Sequence, residues 1–172
     1  MDTIGIDPGK KGAIARFNPA FDVPLAFARL PLNLGEWDPV LMWEAANLWK
    51  RDGVQRVAIE ECHAFPGISA AANASVMEAY GMWRGALGCF QPNQIILVPA
   101  NQWKKAMQVE HPLVKAGKKA TAQEKKAAYD GRKQAALVRA RAEFGLSFRT
   151  PKGRDMDGEA EAALIALYAS KL

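Results

Sequence analysis

Apolar residues come in short runs at the start of the chain and shift to helical spacing further on. Residues 2–7, 11–17 and 24–30 are strand-like and joined by short turns, which predicts an antiparallel meander. Residues 36–50 change period, placing Trp37, Val40, Leu41, Ala45 and Leu48 on one helical face that is expected to enter the core. The stretch VQRVAIEE predicts a fourth strand, with Val57 and Ile59 on one face and Ala58 and Glu60 on the other. An alanine-rich helix follows in SAAANASVMEAYGMWRGALGCF, where Gly81 and Gly85 would let another backbone pack closely. QIILVP is a fifth strand stopped by Pro99, and NQWKKAM opens a helix. A basic loop is expected at about 108–123, then a helix over 124–144, a turn at TPKGRD and a last helix in DMDGEAEAALIALYAS. The fold class is α/β: a five-stranded mixed sheet, three strands antiparallel and then parallel, flanked by helices.

Length and composition narrow the classes. The 172 residues, 49% of them apolar, suffice for one domain with a full core, so a single domain over 1–172 is expected. No run reaches the ~18 apolar residues of a membrane span, and no secretory leader pattern opens the chain, so a cytoplasmic protein is expected. Cys62 and Cys89 are too few for a disulfide scaffold, and with His63 and His111 they match no zinc-finger or ribbon spacing. The net charge of +5 is concentrated, because Lys115 to Arg154 is dense in lysine and arginine. A polyanionic partner, with nucleic acid the usual case, follows from that density.

Two strands end in an acid. Asp7 closes the first and is followed by Pro8, Gly9 and Gly12, which is also ordinary hairpin-turn chemistry. By alternation Asp7 shares its face with Thr3 and Gly5, and Glu60 shares its face with Ala58, while Ile4, Ile6, Val57 and Ile59 face the other way. Small neighbours leave room beside each acid. In the last helix Asp157, Glu161, Leu164 and Tyr168 fall on one stripe, whereas Asp155 and Glu159 lie about 160° away and read as solvated charges. If the first and fourth strands are adjacent and parallel, Asp7 and Glu60 emerge together, and the last helix can lay Asp157 and Glu161 over them. Four such carboxylates need cations, and all-oxygen ligation suits Mg²⁺ or Mn²⁺, two ions of which clamp an in-line phosphoryl displacement.

The segments IGIDPGKKGAIA, VAIEE, GMWRGAL, VPANQWKK and DGEAEAALIALY, in this order, resemble the RuvC-like Holliday junction resolvases of the RNase H-like superfamily, and most closely their phage-type members. The resemblance implies a Mg²⁺-dependent endonuclease of the bacterial cytoplasm, usually a homodimer, that cuts a four-way DNA junction symmetrically and leaves 5′-phosphates. It implies that Asp7, Glu60, Asp157 and Glu161 bind the metals. The last helix departs from the bacterial pattern, in which its two acids are aspartates three residues apart. DNA contacts are expected from Lys10, Lys11, His63, Phe65, Lys104, Lys105, Lys118, Lys119 and Lys133, with His63 or Phe65 in the place of a base-stacking aromatic. The helix carrying Met77, Gly81, Met82, Trp83 and Gly85 corresponds to the dimer-forming region.

Three rivals remain at this level. An actin-like sugar kinase or ATPase also opens with GIDPGKKG-like chemistry, but it needs two such domains around its nucleotide. A YqgF-like or other RNase H-like nuclease acting on RNA or other branched nucleic acid would share the same acids. A module that grips junctions without cutting would not need all four.

Overall fold

The computed structural model describes residues 1–9, 12–21, 25–28, 32–33, 36–64, 69–109 and 121–172. Its centre is a five-stranded sheet of β1 (Thr3–Ile6), β2 (Ile14–Phe17), β3 (Leu25–Ala28), β6 (Arg56–Glu61) and β7 (Ile95–Pro99) in the order β3-β2-β1-β6-β7. The first three strands are antiparallel, and β6 and β7 run parallel to β1, as the hydrophobic pattern predicts. A two-stranded hairpin, β4 (Leu32–Asn33) with β5 (Glu36–Trp37), was not foreseen. It removes Trp37 from the helix that the periodicity placed there.

The two faces of the sheet are built from different residues. One face presents Ile4, Ile6, Ile14, Val57 and Ile59 to α1 (Pro39–Arg51) and α2 (Ala70–Ala86), where Trp49 and Trp83 stack with centroids 5.7 Å apart. The other presents Ala15 and Ala58 to α5 (Asp157–Ser170), with α4 (Ala122–Phe144) packed beside it. A short helix, α3 (Ala100–Ala106), follows β7 directly. Gly5 explains why α5 sits so close. A methyl group there would collide with the backbone oxygen of Ala162 and the backbone nitrogen of Ala166, so only glycine lets the helix backbone lie against β1.

α1 corrects the expected core face. Met42, Ala46 and Trp49 are buried, whereas Val40, Leu41 and Leu48 are exposed. The helix carries two apolar stripes, and the one that packs is chosen by the bulky sheet face beneath it. Asp38 caps the helix by accepting from the backbone N–H groups of Val40 and Leu41 at 2.9 and 3.1 Å, which starts it two residues later than a helix containing Trp37 would begin. Gly81 and Gly85 both face outward with no other part of the described chain against them. Most of the basic segment expected at about 108–123 lies outside the described residues, and α4 begins at Ala122 with a capping box between Thr121 and Glu124.

Candidate active site

The parallel register of β1 and β6 builds the site. Ile6 pairs with Ile59, so the next residues, Asp7 and Glu60, leave the two strands side by side at their carboxyl ends. Asp7 does serve the hairpin turn. Its carboxylate accepts from the Gly9 N–H at 3.1 Å, and its own N–H donates to the Ala13 carbonyl at 3.0 Å. Gly12 presses against it so closely that a Cβ would meet the Asp7 carbonyl, so the returning chain braces the acid from behind. The turn and the site are two uses of one residue.

The close approach of α5 to Gly5 supplies the other acids. Glu161 precedes Ala162, whose carbonyl touches Gly5, and it lies near enough to Glu60 and Asp7 for their charges to interact. Burial first, then Glu161 and Glu60, push the Asp7 carboxyl up to about 7, against the opposing pull of the Gly9 N–H and Lys104. Glu161 is also raised, by burial foremost and by Glu60 and Asp157, with Lys104 pulling it down. Asp157, the first residue of α5, extends the group.

Two lysines balance this charge. The Lys104 ammonium stands 3.6 Å from Glu161 Oε1 and 4.0 Å from Glu60 Oε2, and Lys133 on α4 is paired with Asp157. Among the described residues, no three acidic, histidine or cysteine side chains close around a common point. The donor set nevertheless fits a hard divalent cation: every candidate ligand is a carboxylate, two are held above their ordinary protonation range by burial and then by neighbouring acids, and ammonium groups sit against three of the four. Burial and then the nearby acids push the Cys62 thiol up to about 12.

The expected DNA-contact residues separate into groups. Lys104 and Lys133 are in the acid cluster, Lys105 is exposed on α3, and His63 is exposed beyond β6 with its Nε2 3.8 Å from Glu61. Lys10, Lys11, Phe65, Lys118 and Lys119 lie outside the described residues. Asp155 corrects the expectation of a merely solvated charge. It accepts from Gln134 at 2.9 Å, Arg141 at 2.9 Å and Arg149 at 3.1 Å, bonds that hold its carboxyl below its usual range and tie the turn before α5 to α4.

Sequence reasoning missed Trp103. This fully buried residue of α3 donates its indole N–H to Glu60 Oε2 at 2.7 Å. The signal was present in VPANQWKK, where the lysines drew attention and the tryptophan between Gln102 and Lys104 did not.

No protein-family model and no curated protein matches this chain. Solved structures do. A T. thermophilus RuvC in complex with a Holliday junction substrate aligns with a TM-score of 0.60 at 17% identity, covering 99% of this chain and 93% of that one. A second structure, Thermus thermophilus RuvC, aligns with a TM-score of 0.58 at 16% identity, covering 99% and 96%. The fold is therefore RNase H-like and similar to that of RuvC, with the mixed sheet and flanking helices described above.

Proposed function

We propose that this chain is a divalent-metal-dependent DNA endonuclease that resolves four-way junctions by paired, symmetric nicks. One observation carries the reading: Asp7 and Glu60 stand together at the ends of adjacent parallel strands, directly under the α5 segment that bears Glu161 and Asp157. The shared fold with a RuvC bound to a Holliday junction supports the choice of substrate.

In this reading Asp7, Glu60, Asp157 and Glu161 hold Mg²⁺ or Mn²⁺, two ions per site. The chemistry such ions would supply there is a lowered pKa for a water nucleophile and stabilisation of the leaving oxygen of the phosphodiester. The chain's own residues do the rest. The strand ends and the Gly9 and Gly12 turn keep Asp7 rigid, so the carboxylates are in place before substrate arrives. Lys104 and Lys133, which pair with the carboxylates, would neutralise phosphate charge. Lys105, with Lys10, Lys11, Lys118 and Lys119, would extend the contact along the backbone, and His63 or Phe65 would meet an unstacked base.

Two symmetric nicks need two sites, and hence a homodimer. The outward stripe of α2 supports this, because it is self-complementary about Gly81. In an antiparallel pairing centred there, Met77 meets the open space at Gly85, and Glu78 meets Arg84, so glycines and opposite charges face one another across the two-fold. Among the described residues no helix is long and apolar enough to cross a membrane.

The test is cleavage of a labelled mobile four-way junction beside linear duplex, single strand and RNA–DNA hybrid, with Mg²⁺, Mn²⁺ or EDTA. Paired metal-dependent nicks on the junction alone are expected. Cutting of the hybrid or of simple flaps would move the protein to a broader RNase H-like or YqgF-like nuclease, and binding without cutting would make it a junction-gripping module.

A further inference from the structure

Among the described residues, two buried indole N–H groups stand without a partner and a third is used. Those of Trp37 and Trp83 are buried without a hydrogen-bond partner among the described residues. That of Trp103 donates at 2.7 Å to a carboxylate oxygen, a short charge-assisted bond. Both ends of the bond are rigid. Glu60 sits in β6 opposite Val98 of β7, and α3 starts immediately after β7, so the Trp103 ring reaches Glu60 from the neighbouring strand's own continuation. The ring is fully buried in the same core cluster as Val98, Met107 and the apolar side chains of α5.

The same ring also holds a cation. The Lys104 ammonium lies 4.9 Å from its centroid, while reaching 3.6 Å from Glu161 and 4.0 Å from the Glu60 oxygen that the indole already holds. Indole and ammonium therefore converge on Glu60 Oε2. Oε1 of the same carboxylate accepts no hydrogen bond among the described residues.

We propose that Trp103 is the positioning residue of this site: its N–H and ring fix Glu60 Oε2 and Lys104, and leave Glu60 Oε1 as the oxygen offered to a divalent cation. The proposal rests on the metal-binding reading above. A side-chain N–H that orients a metal-binding carboxylate contributes to affinity without touching the ion.

The experiment uses the whole chain without DNA, labelled with ¹⁵N at the indole nitrogens and titrated with Mg²⁺, with calorimetric Mg²⁺ and Mn²⁺ affinities measured in parallel. The Trp103 indole N–H resonance is expected far downfield in the metal-free protein, to move upfield in Glu60→Gln, and to shift on Mg²⁺ addition while that of Trp83 stays still. Trp103→Phe, which keeps a ring but loses the donor, is expected to weaken both ions about tenfold or more. Trp83→Phe, on the opposite face of the sheet, controls for a general effect of trimming a buried indole and is expected to bind as the wild type does. Full affinity in Trp103→Phe, or a Trp103 resonance indifferent to Glu60→Gln, overturns the positioning role alone. If the wild type binds neither ion, the metal reading falls and this proposal with it. The wild-type titration decides the matter even if Trp103→Phe fails to fold.

Discussion

Both ends of β1 carry an aspartate, and the two live in opposite surroundings. At the amino end, Asp2 receives a two-pronged bond from Arg16, at 3.0 and 2.6 Å, and Arg16 reaches on to Asp52 at 3.0 Å. Charge there is matched, and the pair pins the start of the sheet to the end of α1. At the carboxyl end, Asp7 faces Glu60 and Glu161 with Lys104 as the nearby counter-charge, and its carboxyl is pushed up to about 7. A buried acid beside its own cation serves the fold, and a half-buried acid among other acids costs stability until something positive arrives. Identical residues five positions apart thus sit in matched and unmatched charge.

The comparison breaks most visibly in activity. Asp7→Asn is expected to reduce junction cleavage by about three orders of magnitude while leaving junction binding largely intact, measured by gel cleavage and by mobility shift. Asp2→Asn should leave the cleavage rate near that of the wild type; equal loss in both would erase the distinction.

Stability gives the next largest effects. Gly5→Ala, midway along the same strand, should cost about 3 kcal/mol or fail to fold, because the new methyl meets the α5 backbone rather than a movable side chain. Asp2→Asn should cost about 2 kcal/mol in urea unfolding, since it leaves Arg16 with Asp52 alone. Asp7→Asn should do the reverse in EDTA at pH 8, raising stability by about 1 kcal/mol through removal of a buried, repelled charge. Opposite signs for the two substitutions would sharpen the comparison, and equal signs would end it.

The remaining expected effect is in pH. Asp7 holds its proton more tightly when folded than when unfolded, so the folded state binds more protons between the ordinary carboxyl range and about 7. Its contribution is complete below about pH 4 and is lost as pH rises through about 7. Metal-free thermal unfolding should therefore show a midpoint that declines across that window, flattened in Asp7→Asn and offset by Mg²⁺. A wild-type profile that rises across the same window would contradict the electrostatics assigned to the carboxyl end.

Much of this was legible because it is local. Alternation along a strand needs only neighbouring residues, so Asp7 with Gly5, and Glu60 with Ala58, could be assigned to the small-residue face, opposite Ile4, Ile6, Val57 and Ile59. The adjacency and parallel direction of β1 and β6, stated as a condition, is what the sheet shows. The helical stripe of Asp157 and Glu161 followed from the pitch alone.

What stayed hidden depended on a partner supplied from elsewhere in the chain. α1 has two apolar stripes, and nothing within its own sequence says that Met42, Ala46 and Trp49 pack while Val40, Leu41 and Leu48 face out. Asp155 looked free because its cations, Arg141 and Arg149, come from another helix and from across a turn. Trp103 went unnoticed between Gln102 and Lys104, and its N–H meets Glu60 only because β7 delivers α3 beside the end of β6. Composition and period determine which residues can be buried or charged; which groups then meet is decided by the register of strands and the close approach of helices, as in the bond between Trp103 and Glu60, 43 positions apart, that no local period encodes.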